Sequence, residues 1–243
     1  MSILVVTGTG TGVGKTITTA ALAALAAARG SSVAVVKPAQ TGVTDGEAGD
    51  LAEVARLAGI TEADTHEYAR YPDPLSPAAA ARTSGLPPVS LHDAAAYIRK
   101  LAESHRLVLV EGAGGLLVRF DEDGTTLADL ARELGAPVLV VVDPALGTLN
   151  HTALTLESMA LRGVELAGLV LGSWPQPPEE PDLAMRCNIR DLETLAARPL
   201  AGAIPSGAGA LDAPEFLLAA RAGLSPAFGG TFDAAAFRAR FGC

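Results

Sequence analysis

The feature that most constrains this chain is an apolar strand followed at once by a glycine-rich turn, close to its start. Residues 3–7 have the pattern of a buried strand, residues 8–14 carry a glycine at every second position, and Lys15 and Thr16 begin a predicted helix. Glycine lets the main chain approach an anion closely, and a helix N-terminus adds positive potential. A lysine and a hydroxyl at this point suit phosphate oxygens and a magnesium ion. The order of strand, turn and helix therefore predicts a polyphosphate-binding loop.

The loop is one residue longer than the standard phosphate-loop pattern. In G-x-x-x-x-G-K-[ST] the first glycine would fall at Thr9, whereas the glycine present, Gly8, leaves five intervening residues. A dinucleotide-binding fingerprint fits less well, because its third glycine would fall at Val13. A strand–turn–helix joint with an incidental lysine is the simpler alternative. The ordered combination of strand, glycines and Gly-Lys-Thr favours the phosphate loop.

Apolar runs and helical patterns alternate along the rest of the chain. Predicted strands cover residues 3–7, 32–37, 107–110, 137–142, 166–171 and 200–204. Predicted helices cover residues 15–29, 50–58, 78–82, 91–104, 127–134, 149–162 and 189–197. Continuous apolar strands that alternate with helices are typical of a parallel sheet covered on both faces. We therefore predict an α/β fold of P-loop NTPase type, as a single doubly wound domain over residues 1–243 with a mostly parallel sheet flanked by helices.

Charge and composition exclude several classes of partner. The 243 residues carry a net charge of −9, whereas a general nucleic-acid binder needs a basic face. The sequence has no apolar run of the roughly 18 residues that a membrane span requires. Its two cysteines, Cys187 and Cys243, are far apart and indicate neither a disulfide framework nor a zinc site. We expect a cytoplasmic protein that binds neither nucleic acid nor membrane.

Lysine is rare in this chain, since only three of its 18 basic residues are lysines. Two of these, Lys15 and Lys37, follow predicted strands at the edge of the sheet where ligands bind in doubly wound folds. An arginine guanidinium cannot replace a compact ammonium group. The use of lysine at these two positions therefore suggests that the site needs an ammonium group, and chance placement is the alternative. We expect the Lys37 strand to neighbour the first strand, which would bring both ammonium groups near a bound γ-phosphate.

Two acidic residues are candidate magnesium ligands at the same edge. Glu111 ends an aliphatic run, as the acidic residue of a Walker B strand does, and would hold the ion with Thr16. A solvated glutamate at a strand end is the alternative, and the flanking glycines favour the functional interpretation. Asp50, at the start of a predicted helix, is a third candidate ligand, but an ordinary N-cap explains it equally well.

Two further polar segments follow predicted strands. Thr41 could donate a hydrogen bond to the group that accepts the phosphate, or its hydroxyl could bond to the loop backbone. Residues 147–150 form a turn into a helix whose N-terminus could bind a carboxylate. Capping by Thr148 would explain the same residues.

Four segments together resemble the dethiobiotin synthetase family: residues 7–16, 36–42, 110–115 and 146–152. That family shares the five-residue spacing before Gly14, so the irregular loop supports the resemblance. The likeness runs through residues 2–175 and fades beyond them.

The resemblance implies an ATP- and Mg²⁺-dependent cyclo-ligase of biotin biosynthesis, which joins CO₂ to 7,8-diaminononanoate and gives dethiobiotin, ADP and phosphate. It also implies a carbamate that takes the γ-phosphoryl group of ATP before the second amine closes the ring. The residues that would act on the reacting groups are Lys15, Lys37 and Thr11, and those that would bind Mg²⁺ are Thr16, Asp50 and Glu111. The residues that would bind the nucleotide are Gly12, Val13, Gly14, Lys15, Thr16 and the residue at position 17, Ile17.

By the same resemblance, the protein is a homodimer whose substrate site lies at the interface. Thr41 and the backbone of residues 114–115 would position the diamine end. The partner subunit would offer its residues 147–150 to the carboxylate of the substrate. Aliphatic side chains such as Leu116 and Leu146 would suit the apolar spacer of the diamine.

One departure from the family concerns the nucleotide base. Family members often carry Trp-x-x-Asn after the strand that here ends at Leu171, and the asparagine reads the amino group of adenine. This chain has Trp174 but Pro177 in place of the asparagine. We therefore expect nucleoside triphosphates other than ATP to be accepted, with backbone near Pro205 enclosing the base.

A partition or positioning ATPase, acting as a nucleotide-switched dimer, is the alternative function. Such proteins share the deviant loop but carry a lysine at the position of Gly10. An amidotransferase-like synthase of corrinoid pathways would need a further domain with a catalytic cysteine, and neither Cys187 nor Cys243 has that context.

Overall fold

A computed structural model describes residues 2–61 and 64–243 of the chain. The strands are β1 (Ser2–Gly8), β2 (Val33–Lys37), β3 (Gln40–Thr41), β4 (Thr65–Glu67), β5 (Arg70–Tyr71), β6 (Leu107–Gly115), β7 (Val138–Val142), β8 (Leu166–Trp174) and β9 (Gly202–Pro205). The α-helices are α1 (Lys15–Ala27), α2 (Asp50–Ala58), α3 (Pro77–Ser84), α4 (Leu91–Ser104), α5 (Leu127–Leu134), α6 (Thr148–Leu161), α7 (Leu183–Ala196), α8 (Ala213–Gly223) and α9 (Ala234–Phe241). Strands and helices alternate along most of the chain, so the predicted α/β class is confirmed.

Seven strands form one parallel sheet in the order β4-β2-β6-β1-β7-β8-β9, and β3 pairs with β5 in a separate ladder. β6 lies between β1 and β2, so the prediction that the Lys37 strand neighbours the first strand is wrong. In the register of the sheet, Val6 of β1 pairs with Glu111 of β6, and Val36 of β2 pairs with Val110. Glu111 therefore lies between the strand that leads into the phosphate loop and the strand that ends at Lys37.

Helices cover both faces of the sheet, as continuous apolar strands require. On one face, α1, α2 and α8 bury side chains such as Leu25, Val54 and Phe216. On the other face, α4 and α5 bury side chains such as Ile98 and Leu130. Each such side chain contributes about 1.5–3 kcal/mol when it is fully buried, so the two layers hold the strand ends firmly in place. Within the described residues, no helix is both long enough and apolar enough to cross a membrane.

Two strands extend three or more residues beyond their predicted ends. β6 continues through Gly115, whereas the predicted strand ends at residue 110. β8 reaches Trp174 instead of ending at Leu171. Glycines in these segments disfavour a strand in sequence-based prediction, but neighbouring strands supply the pairing, since Gly8 of β1 pairs with Gly115.

The helix α7 also begins earlier than predicted, at Leu183 rather than residue 189. Asp182 accepts a hydrogen bond from the backbone N–H of Met185 at 2.8 Å. This N-cap satisfies a free donor of the first helical turn. The segment between β8 and α7 therefore ends at an aspartate that caps the helix.

The C-terminal helix α9 returns to the sheet and packs on Trp174. The ring centroids of Trp174 and Phe237 lie 5.0 Å apart, and those of Trp174 and Phe241 lie 5.5 Å apart. A disulfide joins Cys187 of α7 to Cys243, just beyond α9. The expectation of no disulfide is therefore wrong, because the return of α9 brings together two cysteines that are 56 positions apart.

Candidate active site

The phosphate loop begins where β1 ends and leads directly into α1. Gly14 is the N-cap residue of α1 and has a φ of 96°, a left-handed conformation that favours glycine. The Nζ of Lys15 donates a hydrogen bond to the carbonyl oxygen of Gly10 across the loop, at 2.8 Å. The lysine therefore lies at the helix N-terminus, where the first N–H groups have no partner within the helix and can bind an anion.

Strand β8 contacts the phosphate loop through a glycine. A Cβ atom on Gly172 would lie 1.8 Å from the carbonyl oxygen of Val13, and one on Gly14 would lie 2.4 Å from the carbonyl oxygen of Gly172. A larger residue at either position would require the backbone to move. The loop is therefore supported directly by the end of β8.

Lys37 lies in a buried cluster of charges next to the loop. Its Nζ is 2.6 Å from Oδ2 of Asp50 and 2.7 Å from Oε1 of Glu111, and it donates to the carbonyl oxygen of Gly112 at 3.2 Å. The Thr16 hydroxyl donates to the same Glu111 oxygen at 2.9 Å. Glu111 is fully buried, and its other oxygen, Oε2, has no hydrogen-bond partner among the described residues. An unpaired buried oxygen is costly, so Oε2 indicates a further ligand at this point.

The two explanations of Asp50 are resolved by its position. Asp50 is the first residue of α2, and the N-cap position before it is Gly49. The Asp50 carboxylate pairs with Lys37, and the α2 N-terminus receives no hydrogen bond from an N-cap side chain. The N-cap explanation is therefore wrong, and Asp50 belongs to the charge cluster.

The two lysines have opposite pKa shifts. Burial, and then the nearby charge of Lys37, lower the pKa of Lys15 to about 8, although Glu111 and Asp50 act in the other direction. Burial opposes the charged form of Lys37 as well, but the carboxylates of Glu111 and Asp50 outweigh it and raise the pKa of Lys37. Lys37 is therefore fully cationic near neutral pH, whereas Lys15 holds its proton less firmly.

A cleft of about 760 Å³ opens beside these charges. Its polar lining comes from the phosphate loop, the β2–β3 segment, α2 and β6, namely Thr11, Gly12, Gly14, Lys15, Thr16, Lys37, Gln40, Thr41, Asp50, Glu111 and Gly114. The structure thus brings together both predicted lysines, the three predicted magnesium ligands and the two predicted threonines. Ile17 lines the same cleft.

The apolar wall of the cleft comes from residues that the sequence does not single out. These are Pro74, Leu75, Pro77 and Val118. Pro74 and Leu75 lie between β5 and α3, Ser76 is the N-cap of α3, and Pro77 is its first residue. A serine followed by a proline is typical of the start of a helix, so the sequence here predicts a helix and gives no indication of a binding site. Gln40 gives no signal for a similar reason, because a single glutamine in the two-residue strand β3 has no diagnostic spacing.

Three other predicted positions lie outside this cleft. Leu116 is 3% exposed and lines a separate cavity of about 430 Å³ beside the phosphate loop rather than this cleft. Leu146 is 86% exposed. The N-cap of α6 is Gly147, with a φ of 99°, and Thr148 is buried one residue later, so Thr148 does not cap the helix. Asn150 is exposed on α6.

A smaller cavity of about 260 Å³ lies on another side of the phosphate loop. It is lined by the loop, the ends of β7 and β8 and the segments that follow, namely Gly12, Val13, Asp143, Pro144, Ser173, Pro175, Glu179, Met185 and Ser206. Trp174 does not line this cavity, because its ring is buried against α9. Ser173 and Pro175, on either side of Trp174, therefore line a cavity beside the phosphate loop, whereas the Trp174 ring itself points toward α9.

Comparison with known proteins identifies both distant and near relatives. A family model described as an AAA domain matches residues 2–211. The ATP-dependent dethiobiotin synthetase of Parafrankia sp. is 64% identical over 241 residues, 99% of each chain, and that of Frankia casuarinae is 66% identical over 241 residues, again 99% of each. Among solved structures, the septum site-determining protein MinD of Pyrococcus horikoshii, complexed with Mg-ADP, matches with a TM-score of 0.54 and 18% identity over 88% of each chain.

These matches carry different amounts of information. At 18% identity the likeness to MinD shows the fold alone, and with the family model it confirms the predicted P-loop NTPase type. The relatives with high identity match over nearly their whole length and share one named activity. A positioning ATPase is therefore supported only by the fold, which many activities share.

Proposed function

The chain belongs to the ATP-dependent dethiobiotin synthetases, ligases of biotin biosynthesis, and from this premise we propose the reaction that its cleft carries out. It converts 7,8-diaminononanoate and CO₂ to dethiobiotin, with release of ADP and phosphate. The observation that carries the proposal is the charge cluster of buried Lys37 and Glu111 with the half-exposed Asp50, which adjoins the phosphate loop and opens on a cleft of about 760 Å³.

The proposed reaction needs positioning and charge stabilisation rather than a nucleophilic side chain. One amine adds to the carbon of CO₂ and loses a proton, which gives a carbamate. A carbamate oxygen attacks the γ-phosphorus of ATP, ADP leaves, and a carbamic–phosphoric anhydride forms. The second amine then adds to the carbamoyl carbon, and phosphate leaves as the ring closes. Negative charge collects around the γ-phosphate in these steps, so fixed cations there lower the barrier.

The lysines have distinct roles in this proposal. Lys15 binds the phosphates, since it lies at the N-terminus of α1 beside the loop. Lys37 stabilises the carbamate and the transferring phosphoryl group, since it is cationic and lines the cleft. Thr11 is exposed at the cleft and donates to a phosphoryl oxygen, while Thr41 and the backbone of Gly114 orient the diamine.

Magnesium fits the oxygen ligands of the cluster. Mg²⁺ prefers carboxylate, hydroxyl, phosphate and water oxygens. Glu111 offers the unpartnered Oε2, Thr16 offers a hydroxyl beside it, and Asp50 offers a half-exposed carboxylate. When bound, the ion supplies further positive charge to the phosphates. We therefore assign these three residues as its protein ligands.

A homodimer is part of the proposal. Apolar side chains are exposed along α6 and near it, with Leu146 at 86%, Leu154 at 55% and Leu161 at 79%, and Leu117 lies exposed beyond β6. Exposed leucines grouped in this way favour a protein interface. Residues 147–150 start the same helix, so a partner docked there could offer them to the substrate carboxylate.

We assign the nucleotide base to the smaller cavity, which adjoins the phosphate loop at Gly12 and Val13. Its described lining contains no asparagine to read adenine. ATP is the co-substrate in this proposal, as in the related enzymes. Because no asparagine selects adenine here, other nucleoside triphosphates are accepted as well. The expected cytoplasmic location stays a prediction.

The deciding experiment measures phosphate release by the purified protein with ATP, Mg²⁺, bicarbonate and 7,8-diaminononanoate. We expect release that depends on the diamine and on bicarbonate, with dethiobiotin formed in equal amount. Release that is unchanged without the diamine would contradict the ligase function. Replacement of ATP by CTP or GTP in the same assay tests the base assignment.

A further inference from the structure

We propose that Gln40 is a positioning residue of the cleft, whose side-chain amide holds Asp50 with one atom and Thr41 with the other. The inference rests on the proposed function, because it explains how a magnesium ligand and a diamine-orienting residue come to lie at fixed positions. Gln40 touches neither group of reacting atoms in this scheme and acts through its two neighbours.

The backbone of Gln40 is fixed before its side chain is considered. Its N–H donates to the carbonyl oxygen of Ala69 at 2.8 Å, and it pairs with Arg70 in the β3–β5 ladder. The residue lies three positions after Lys37 and is only 4% exposed. Its side chain therefore leaves a rigid and buried point at the edge of the cleft, where a polar amide must find partners.

The oxygen of the amide holds the start of α2. Oε1 of Gln40 accepts a hydrogen bond from the backbone N–H of Asp50 at 2.9 Å. The N-cap residue of α2 is Gly49, which has no side chain to do this. Gln40 thus serves as the missing cap from ten residues away. It fixes the position from which the Asp50 carboxylate reaches Lys37 at 2.6 Å.

The nitrogen of the same amide holds the other neighbour. Nε2 of Gln40 donates to the backbone carbonyl oxygen of Thr41 at 3.2 Å. One side chain must therefore offer both an acceptor and a donor, which a glutamine does and an ionised glutamate does not. This double requirement explains the choice of glutamine between two functional segments.

Gly49 provides an independent way to disturb the amide. A Cβ atom on Gly49 would lie 2.9 Å from Oε1 of Gln40 and 3.0 Å from its Cδ. The φ of Gly49 is −99°, so alanine strains no backbone angle there. Gly49→Ala should therefore push the Gln40 amide away from Asp50 without altering Gln40 itself.

The test compares Gln40→Met and Gly49→Ala with wild type, and uses Ala52→Ser on the exposed side of α2 as the matched control. Methionine keeps the length of glutamine but can neither donate nor accept these hydrogen bonds. We expect the Mg²⁺ concentration for half-maximal turnover to rise about fivefold in both variants. The KM for the diamine should rise by a similar factor in Gln40→Met, and Ala52→Ser should match wild type.

Double variants separate positioning from a merely structural role. If Gln40 acts through Asp50, Gln40→Met should shift the Mg²⁺ dependence less than twofold when it is added to Asp50→Asn. Likewise, it should shift the diamine KM less than twofold when it is added to Thr41→Ala. Full additivity in both pairs, or single variants within twofold of wild type, would overturn the proposal.

The same experiment distinguishes a failure of the proposed function. If the wild-type protein showed no turnover that depends on the diamine, the ligase activity would be contradicted. The proposal that Gln40 positions Asp50 could then still be measured directly. That measurement is the Mg²⁺ dependence of ADP binding, which needs no diamine. An unchanged dependence in both Gln40→Met and Gly49→Ala would then overturn the inference by itself.

Discussion

The two ends of the proposed nucleotide site differ in what holds them together. The phosphate end consists of Lys15, Lys37, Asp50 and Glu111, which lie on β2, β6 and the first residues of α1 and α2. Ion pairs and hydrogen bonds of 2.6 to 2.9 Å hold them in place. The base end is the smaller cavity, and the neighbouring Trp174 belongs to an aromatic cluster with α9.

The difference shows which parts of the site can tolerate change. A buried charge whose partner is removed is left unpaired at a cost of about 3–5 kcal/mol, so each residue of the phosphate end constrains the next. The smaller cavity is lined by both polar and apolar side chains, such as Asp143, Ser173 and Pro144, and the aromatic cluster beside it accepts volume-conserving changes at smaller cost. Substitutions at the phosphate end should therefore affect chemistry strongly, and those at the base end should affect it weakly.

The largest effect is expected for Lys37→Ala. Turnover should fall at least 100-fold, because the cation beside the carbamate is lost, while the Kd for ATP should stay within about fivefold of wild type. Stopped assays of phosphate release and calorimetric titration measure the two quantities. The exposed lysine Lys100 supplies the control Lys100→Ala, which should match wild type in both. A Lys37→Ala variant that keeps its turnover and loses only ATP affinity would show that the role is misassigned.

The contact between the two ends should give the next largest effect. In Gly172→Ala the new Cβ atom would meet the carbonyl oxygen of Val13, so the phosphate loop must shift and nucleotide affinity should fall about 100-fold. The exposed Glu103 of α4, which lines neither cavity, supplies the control Glu103→Ala, and this variant should change the affinity less than threefold. Equal affinities in the two variants would contradict the view that β8 supports the loop.

A smaller effect should follow from the pKa of Lys15, which burial and Lys37 lower to about 8. Bound phosphate favours the ammonium form, so binding takes up a proton once the pH exceeds that pKa. The affinity for Mg²⁺-free ADP should therefore be flat below pH 7 and about tenfold lower at pH 9 than at pH 7. In Lys15→Arg, whose guanidinium stays charged, the slope between pH 7 and 9 should disappear. A slope that persists in that variant would assign the proton to another group.

The smallest effect on activity is expected at the far side of the base end. Cys243→Ser removes the disulfide to Cys187, so α9 should detach more readily and limited proteolysis near the C-terminus should accelerate. Phosphate release should stay within twofold of wild type. Cys187→Ser should behave alike, because both variants remove the same bridge. A loss of turnover comparable to that of Lys37→Ala would show that the two ends are not independent.

The phosphate end was predictable because its residues carry local signals. Strand, glycines, lysine and threonine follow one another in a fixed order, and Lys37 and Glu111 each end an apolar run. The ends of parallel strands meet at one edge, so these residues converge even though the predicted strand order was wrong. The insertion of β6 between β1 and β2 places Glu111 between the two lysines, so the wrong strand order leaves all three residues in the site.

The remaining features depend on contacts between distant segments, which no local pattern reports. Trp174 is placed by rings about 60 residues later, and the disulfide depends on the same return of α9. Leu116 follows a strand that is longer than its apolar run suggests, and it turns inward. Gln40 has two partners that follow from the position of α2 and the β3–β5 ladder.

The paired charges of the phosphate end also bear on how fast a nucleotide arrives. Its two ammonium groups and two carboxylates cancel, so the site has little net positive potential to reach into solvent. The whole chain carries a net charge of −9, which repels a polyphosphate from a distance. Dissolved salt screens that repulsion over about 10 Å at 0.1 M ionic strength. Nucleotide association with this protein should therefore accelerate as ionic strength rises, which is the reverse of electrostatic steering.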